Sequence, residues 1–168
     1  HQGILDAQVE LLITDKKDAV ARQIARTNGI DDVYIPYDKK DRVTFEKEAE
    51  RLIKERGCDL VILAGFMRLI TPQLIDAFAG RMLNIHPSLL PAFKGLHAQR
   101  QALAYGVKFA GCTVHFVTQE MDAGPIVQQR CVPVLPDDDE DCLCARILVE
   151  EHALYPEAIA IVVKQLGL

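Results

Sequence analysis

The segment Asn84-Ile85-His86-Pro87-Ser88-Leu89-Leu90-Pro91 sets a carboxamide and an imidazole two positions apart, after an apolar run and before a proline-rich loop. On an extended segment, positions i and i+2 point to the same face. Asn84 and His86 therefore stand side by side at a strand end, a pair suited to holding a carbonyl oxygen as it gains negative charge. The turn Glu120-Met121-Asp122-Ala123-Gly124-Pro125 offers the carboxylate that such a histidine needs as a partner. Each residue alone has a plainer reading: His86 as a buried structural histidine, Asn84 as a strand-end cap, Asp122 as a turn former. Together the three groups favour catalysis.

The other candidates carry less chemistry. His97 opens a helix, either beside the site or as a surface cap. His115 alternates with Val114 and Phe116 along a strand and reads as structural, and His152 reads as a packing residue. Cys142 and Cys144 lie two apart on a helix, which points the thiols away from each other, so no metal site is expected.

These residues need elements to position them. Val9 to Thr14 reads as a first strand, followed by a helix from about Asp15 with Ala19, Val20, Ile24 and Ala25 at helical spacing. Val33 to Pro36 reads as a short strand. A helix from about Val43 to Arg56 carries Phe45, Ala49, Leu52 and Ile53 on one stripe, with a solvated Lys/Glu-rich face. Asp59 to Gly65 is a continuous apolar strand, the mark of a sheet covered on both faces. Thr71-Pro72 caps a short helix through Ala77, and Arg81 to Ile85 is the next buried strand. After the loop, His97 to Tyr105 reads as a helix, Gly111 to Thr118 and Ile126 to Val134 as a strand pair that is open to antiparallel pairing. The acidic turn 136–141 leads into a last helix from about Asp141, bent near Tyr155-Pro156. Strand and helix alternate in the first half, which implies parallel crossovers. The expected fold is a three-layer α/β/α domain with a mostly parallel sheet and a Rossmann-like first half. In such sheets ligands bind at the carboxyl ends of the strands, where residues 65–70, 84–86 and 118–122 all fall.

Composition bounds the rest. The chain has 168 residues, 49% apolar and 26% charged, which fits one domain with a real core. Its net charge of −5 is spread with both signs interspersed and no basic block, against a nucleic-acid groove. No apolar run is long enough to cross a bilayer and no signal-peptide pattern opens the chain, so a membrane is not an expected partner. Five cysteines, an odd number, form no disulfide framework, and a cytoplasmic location is expected. The oligomeric state is left open.

The order of several segments carries a likeness. Leu63 to Arg68, Leu83 to Pro91, Gly95 to Leu103, Thr113 to Val117, Met121 to Pro125 and Glu151 to Pro156 together resemble the glycinamide ribonucleotide formyltransferases, folate-dependent enzymes of purine synthesis. The Asn-Ile-His-Pro-Ser-Leu-Leu-Pro block marks the wider formyltransferase superfamily, and Gly-Leu-His-Ala-Gln-Arg-Gln-Ala-Leu narrows it. The resemblance implies transfer of a formyl group from 10-formyltetrahydrofolate, as co-substrate and without a metal, to the amine of glycinamide ribonucleotide through a tetrahedral intermediate. It implies Asn84, His86 and Asp122 as the catalytic trio. The folate would be held by Arg42, Met67, Arg68, Leu69, Ile70, Asn84, Thr118, Gln119, Glu120, Met121 and Asp122. Glu151 would accept the ribose hydroxyls, with Pro87 also at the ribonucleotide. The peptide before Pro91 would be cis.

Against the family pattern, the opening strand and its glycine- and serine-rich phosphate turn have no counterpart here. The expectation is therefore a single formyltransferase domain over residues 1–168, lacking its first strand, ending early, and binding the ribonucleotide poorly by itself. Two other functions stay open: a 10-formyltetrahydrofolate deformylase using water as acceptor, and an inactive folate-binding or partner-binding remnant. A methionyl-tRNA formyltransferase is disfavoured by the loop after Pro91.

Overall fold

The computed structural model describes residues 7–37 and 42–168. Strand β1 (Leu11–Thr14) leads through helix α1 (Val20–Thr27) to β2 (Asp31–Tyr34), and the two strands pair in parallel. Helix α2 (Arg42–Glu55) then leads to β3 (Val61–Leu63), and α3 (Pro72–Ala77) to β4 (Met82–His86), which is parallel to β3. Helix α4 (Ala98–Tyr105) precedes a long hairpin, β5 (Phe109–Phe116) and β6 (Ile126–Pro133), and α5 (Glu140–Leu166) closes the chain. Strands β4, β5 and β6 are antiparallel neighbours. Among the described residues the strands form a two-stranded sheet, β1-β2, and a four-stranded sheet in the order β3-β4-β5-β6. The α/β class and the parallel crossovers of the first half are as expected, and the later pair is antiparallel.

Local chemistry explains most element ends. Thr71 has extended backbone and its Oγ1 accepts the N–H of Leu74, with proline at the first position of α3. Asp139 caps α5 by accepting the N–H of Cys142. On α5, Leu143, Ile147, Leu154, Ala158 and Val162 are all buried at helical spacing. Leu143, Ile147, Leu154 and Ala158 pack on Cys112, Val114 and Val132 of the hairpin. Each large aliphatic side chain so buried contributes roughly 1.5–3 kcal/mol, which makes this face the main glue between helix and sheet.

Several details depart from expectation. The stripe on α1 is reversed: Val20 and Ile24 are exposed and only Ala25 is buried. Helix α1 starts after Ala19, and Asp15 does not cap it but pairs with Arg68. Strand β3 is three residues long with Ile62 exposed, so the apolar run at 59–65 overstates it. In the acidic turn the Asp138 side chain is buried against Arg146. The expected last helix is α5, with Pro156 inside it. Beside that proline, the Tyr155 hydroxyl donates to the carbonyls of Leu63 (2.7 Å) and Leu83 (3.1 Å), tying the helix to β3 and β4.

Candidate active site

Strand β4 carries Asn84 and His86 on one face, as the i, i+2 rule requires. Antiparallel register with β5 sets His115 opposite Asn84 and Thr113 opposite His86. The chain leaves β5 at Phe116 and returns through a loop that delivers Asp122. Two features hold that loop close. Asp122 sits at φ 50°, a left-handed conformation that aspartate tolerates better than most residues. Gly124 lies so near the strand that a Cβ there would stand 1.9 Å from the Phe116 carbonyl oxygen, and the adjacent Pro125 carbonyl accepts the N–H of Phe116 at 2.9 Å.

The result is a compact polar cluster. His86 Nδ1 lies 3.4 Å from Asp122 Oδ2, and both side chains are largely buried. His86 Nε2 lies 2.9 Å from the carbonyl oxygen of Phe93. Both ring nitrogens of His86 thus face oxygen atoms, a carboxylate on one side and a backbone carbonyl on the other. Asp122 Oδ2 also accepts the N–H of Gly95 at 2.8 Å. The loop 87–97, entered through a cis Leu90-Pro91 peptide, thus grips both the histidine and the carboxylate.

His115 completes the cluster. Its Nδ1 is 2.9 Å from the Phe116 carbonyl, which fixes the proton there and leaves Nε2 as an acceptor. Asn84 Nδ2 lies 3.3 Å from that Nε2. The contact orients the carboxamide, with one N–H on His115. Burial pushes the His115 imidazole below its ordinary value, only partly opposed by the Phe116 carbonyl and Asp122, so the ring is held neutral. Asp122 Oδ1 is 3.8 Å from His115 Nε2. The carboxylate therefore lies between the two histidines. His115, read from the sequence as structural, is buried and touches two members of the cluster. Its only trace in the sequence is the alternation along β5; the register that pairs it with Asn84 is a tertiary fact.

Two loops flank the cluster at the strand ends. The segment after β3 exposes Met67 (78%) and Leu69 (63%) while its other residues are anchored. Arg68 binds Asp15 and lies 3.7 Å over the Tyr37 ring, so its side chain turns away into the fold. Arg42 Nη1 approaches the Leu69 carbonyl at 3.4 Å. The segment after β5 is stitched by the Thr118 hydroxyl on the Glu120 carbonyl and by Gln119 on Asp76 of α3. Glu120 is exposed and pairs with Lys94. Ile70 and Val117 pack on the same buried cluster of Ile53, Leu74, Phe78 and Met82, so the two segments share one floor. Exposed apolar side chains thus stand above anchored backbone, an arrangement that can receive an apolar face of a small molecule.

Residues 1–159 match a protein-family model described as formyl transferase. The chain belongs to the formyl transferase family. It is 42% identical over 168 residues to phosphoribosylglycinamide formyltransferase of Escherichia coli, a match covering 95% of this chain and 79% of that one. It is 45% identical over 163 residues to the trifunctional purine biosynthetic protein adenosine-3 of Drosophila melanogaster, with 96% of this chain and 12% of the fly protein covered. The chain thus spans about an eighth of that multifunctional relative. Among solved structures, glycinamide ribonucleotide transformylase 1 of Symbiobacterium toebii superposes with a TM-score of 0.90 at 48% identity, covering 94% of this chain and 75% of that one. A formyltetrahydrofolate deformylase of Pseudomonas syringae also superposes at 0.90, with 32% identity and 96% and 53% coverage. No helix among the described residues of this formyl transferase is long and apolar enough to cross a membrane.

The remaining candidates lie around the cluster. Pro87 follows His86 directly and lines a cavity of about 390 Å³ behind the loop, together with Leu89, Phe93, Tyr105 and Phe109. Neither Asn84 nor Asp122 reaches that cavity. Glu151, on α5, is half-buried, and burial raises its carboxyl above the usual range while His152 pulls it down. His97 is the N-cap of α4 in a left-handed conformation, without a side-chain capping bond.

Proposed function

We propose that this formyl transferase moves a formyl group from 10-formyltetrahydrofolate to the amine of glycinamide ribonucleotide, in one domain. The observation that carries the reading is the cluster of Asn84, His86, His115 and Asp122. An amide-like formyl carbon attacked by an amine develops charge on oxygen, and donors fixed in advance at that oxygen stabilise it most. The second N–H of Asn84 is one such donor, held in place by His115. His86 is the other. Its Nε2 proton now rests on the Phe93 carbonyl, and an incoming oxyanion would replace that weaker acceptor. Asp122 lies 3.4 Å from the imidazole and, through a water, would carry the amine proton to the folate nitrogen as it leaves. The bonds balance: C–N to the acceptor forms, C–N to the folate breaks, and one proton passes between the two nitrogens.

The folate roles of Arg42, Met67 to Ile70 and Thr118 to Met121 fit the anchored backbones and shared floor of the two loops. For Arg42 and Arg68 the supporting geometry is indirect, since both guanidinium groups hold protein partners. Glu151 and Pro87 are assigned to the ribonucleotide. A location in the cytoplasm, with small molecules as the only substrates, is part of the same reading.

The test is formyl transfer by the purified chain, followed as loss of formylfolate with and without ribonucleotide. Amine-dependent loss that falls about 10²–10³-fold in Asn84→Ala supports the assignment. Equal formate release without the amine would establish the hydrolase, towards which the deformylase neighbour points.

A further inference from the structure

We propose that Glu46 is a positioning residue for the folate co-substrate, an inference that rests on the reading of the 67–70 loop given above. The Lys/Glu-rich helix α2 is expected to turn its charges to solvent, yet Glu46 is only 4% exposed. Both of its carboxylate oxygens lie 3.1 Å from the backbone nitrogen of Thr71, and the Thr71 hydroxyl donates to Oε2. That same hydroxyl accepts the N–H of Leu74 at 3.5 Å. A buried carboxylate, the N-cap of α3 and the end of the loop are therefore one chain of hydrogen bonds.

The neighbours of Glu46 on α2 extend the grip. Arg42, one turn earlier, lies 3.9 Å from Oε1 and reaches the Leu69 carbonyl. Phe45 stacks on Phe66 with centroids 6.3 Å apart. Arg68 is held from another side by Asp15 and Tyr37. Residues 66, 68, 69 and 71 are thus fastened to the fold, and Met67 and Leu69 project outward between them. A helix of six residues does not need a buried carboxylate for its own sake, because Thr71 already caps it. The fastening instead fixes the backbone that would hydrogen-bond a pterin. Positional precision of that kind matters to binding more than to chemistry, because the reacting cluster lies on β4 and β5.

The experiment compares Glu46→Gln, Glu46→Ala, Thr71→Val and the Glu46→Ala/Thr71→Val pair. Glu46→Ala should raise KM for formylfolate about tenfold, the order set by losing a hydrogen bond to a charged group. KM for the ribonucleotide and kcat should stay within about twofold by the same separation of sites. Glu46→Gln keeps an acceptor for the Thr71 N–H and should recover most of the loss, and the double variant should be no worse than Glu46→Ala. In parallel, amide hydrogen exchange of residues 67–70 without ligand should quicken in Glu46→Ala, and amides of β4 and β5 should not. A parallel rise in both KM values, or unchanged exchange at 67–70, overturns the proposal. If the wild-type chain transfers no formyl group, the functional reading fails by itself, and calorimetric binding of tetrahydrofolate together with the exchange data still decides the role of Glu46.

Discussion

His115→Leu separates a group that orients from one that reacts. The side chain makes two bonds, to Asn84 Nδ2 at 3.3 Å and to the Phe116 carbonyl at 2.9 Å. If its role is to hold the Asn84 carboxamide, leucine removes a bias of about 1 kcal/mol between the two amide orientations, roughly a fivefold loss of the productive one. Asn84→Ala removes the donor altogether and should cost about 10²–10³ in rate. Steady-state formyl transfer by the two variants tests the gap, run well below the melting temperature because the orphaned Phe116 carbonyl will cost about 1–3 kcal/mol of stability. A second signature comes from pH. Burial sets the folded His115 value below the unfolded one. Above about pH 6.5 neither state binds the proton and His115 has no effect. As pH falls through that value the unfolded chain takes up a proton that the folded chain refuses, so stability drops until the folded ring is itself protonated. The leucine variant should lose that component of acid sensitivity. A His115→Leu rate loss as large as that of Asn84→Ala, or an unchanged acid slope, would refute the orienting role.

Three further outcomes follow from single contacts. Glu151 is kept above its ordinary range by burial, so its ionisation on raising the pH destabilises the fold; Glu151→Gln should melt higher at pH 7, match the wild type below about pH 4, and bind the ribonucleotide more weakly. Arg146, with help from the Leu135 N–H, holds Asp138 at about 2, which stabilises the fold above the unfolded carboxylate value and is lost as pH falls towards 2. Asp138→Asn should therefore lower Tm at pH 5 and converge with the wild type in strong acid. Gly124→Ala places a methyl 1.9 Å from the Phe116 oxygen; the loop must shift, and formyl transfer should fall about as far as in Asp122→Asn, with near-normal binding of folate to the 67–70 side.

Much of the fold is legible because local chemistry and tertiary role agree. Thr71-Pro72 reads as a helix start and is one, and the paired positions 84 and 86 face the same way because strand geometry allows nothing else. The errors fall where the environment overrides pattern. Val20 and Ile24 have helical spacing, but the face they make is exposed. Glu46 looks like one more solvated charge on α2, and its partner Thr71 is 25 residues away. The contacts of His115 with Asn84 and Asp122 are also hidden from the sequence, because they are set by the β4–β5 register and by a loop that leaves the strand, neither of which periodicity encodes. The grip of Phe93 and Gly95 on His86 and Asp122 is invisible for a plainer reason: it is made by backbone atoms that every residue has.

A crystal structure with a stable 10-formylfolate analogue addresses the convergence of Asn84, His86 and Asp122 around one migrating carbon. The formyl oxygen should lie about 2.7–3.2 Å from Asn84 Nδ2, with His86 Nε2 turned from Phe93 towards it and the pterin seated between residues 67–70 and 118–122. A formyl group bound beyond hydrogen-bond reach of both Asn84 and His86 would contradict that convergence.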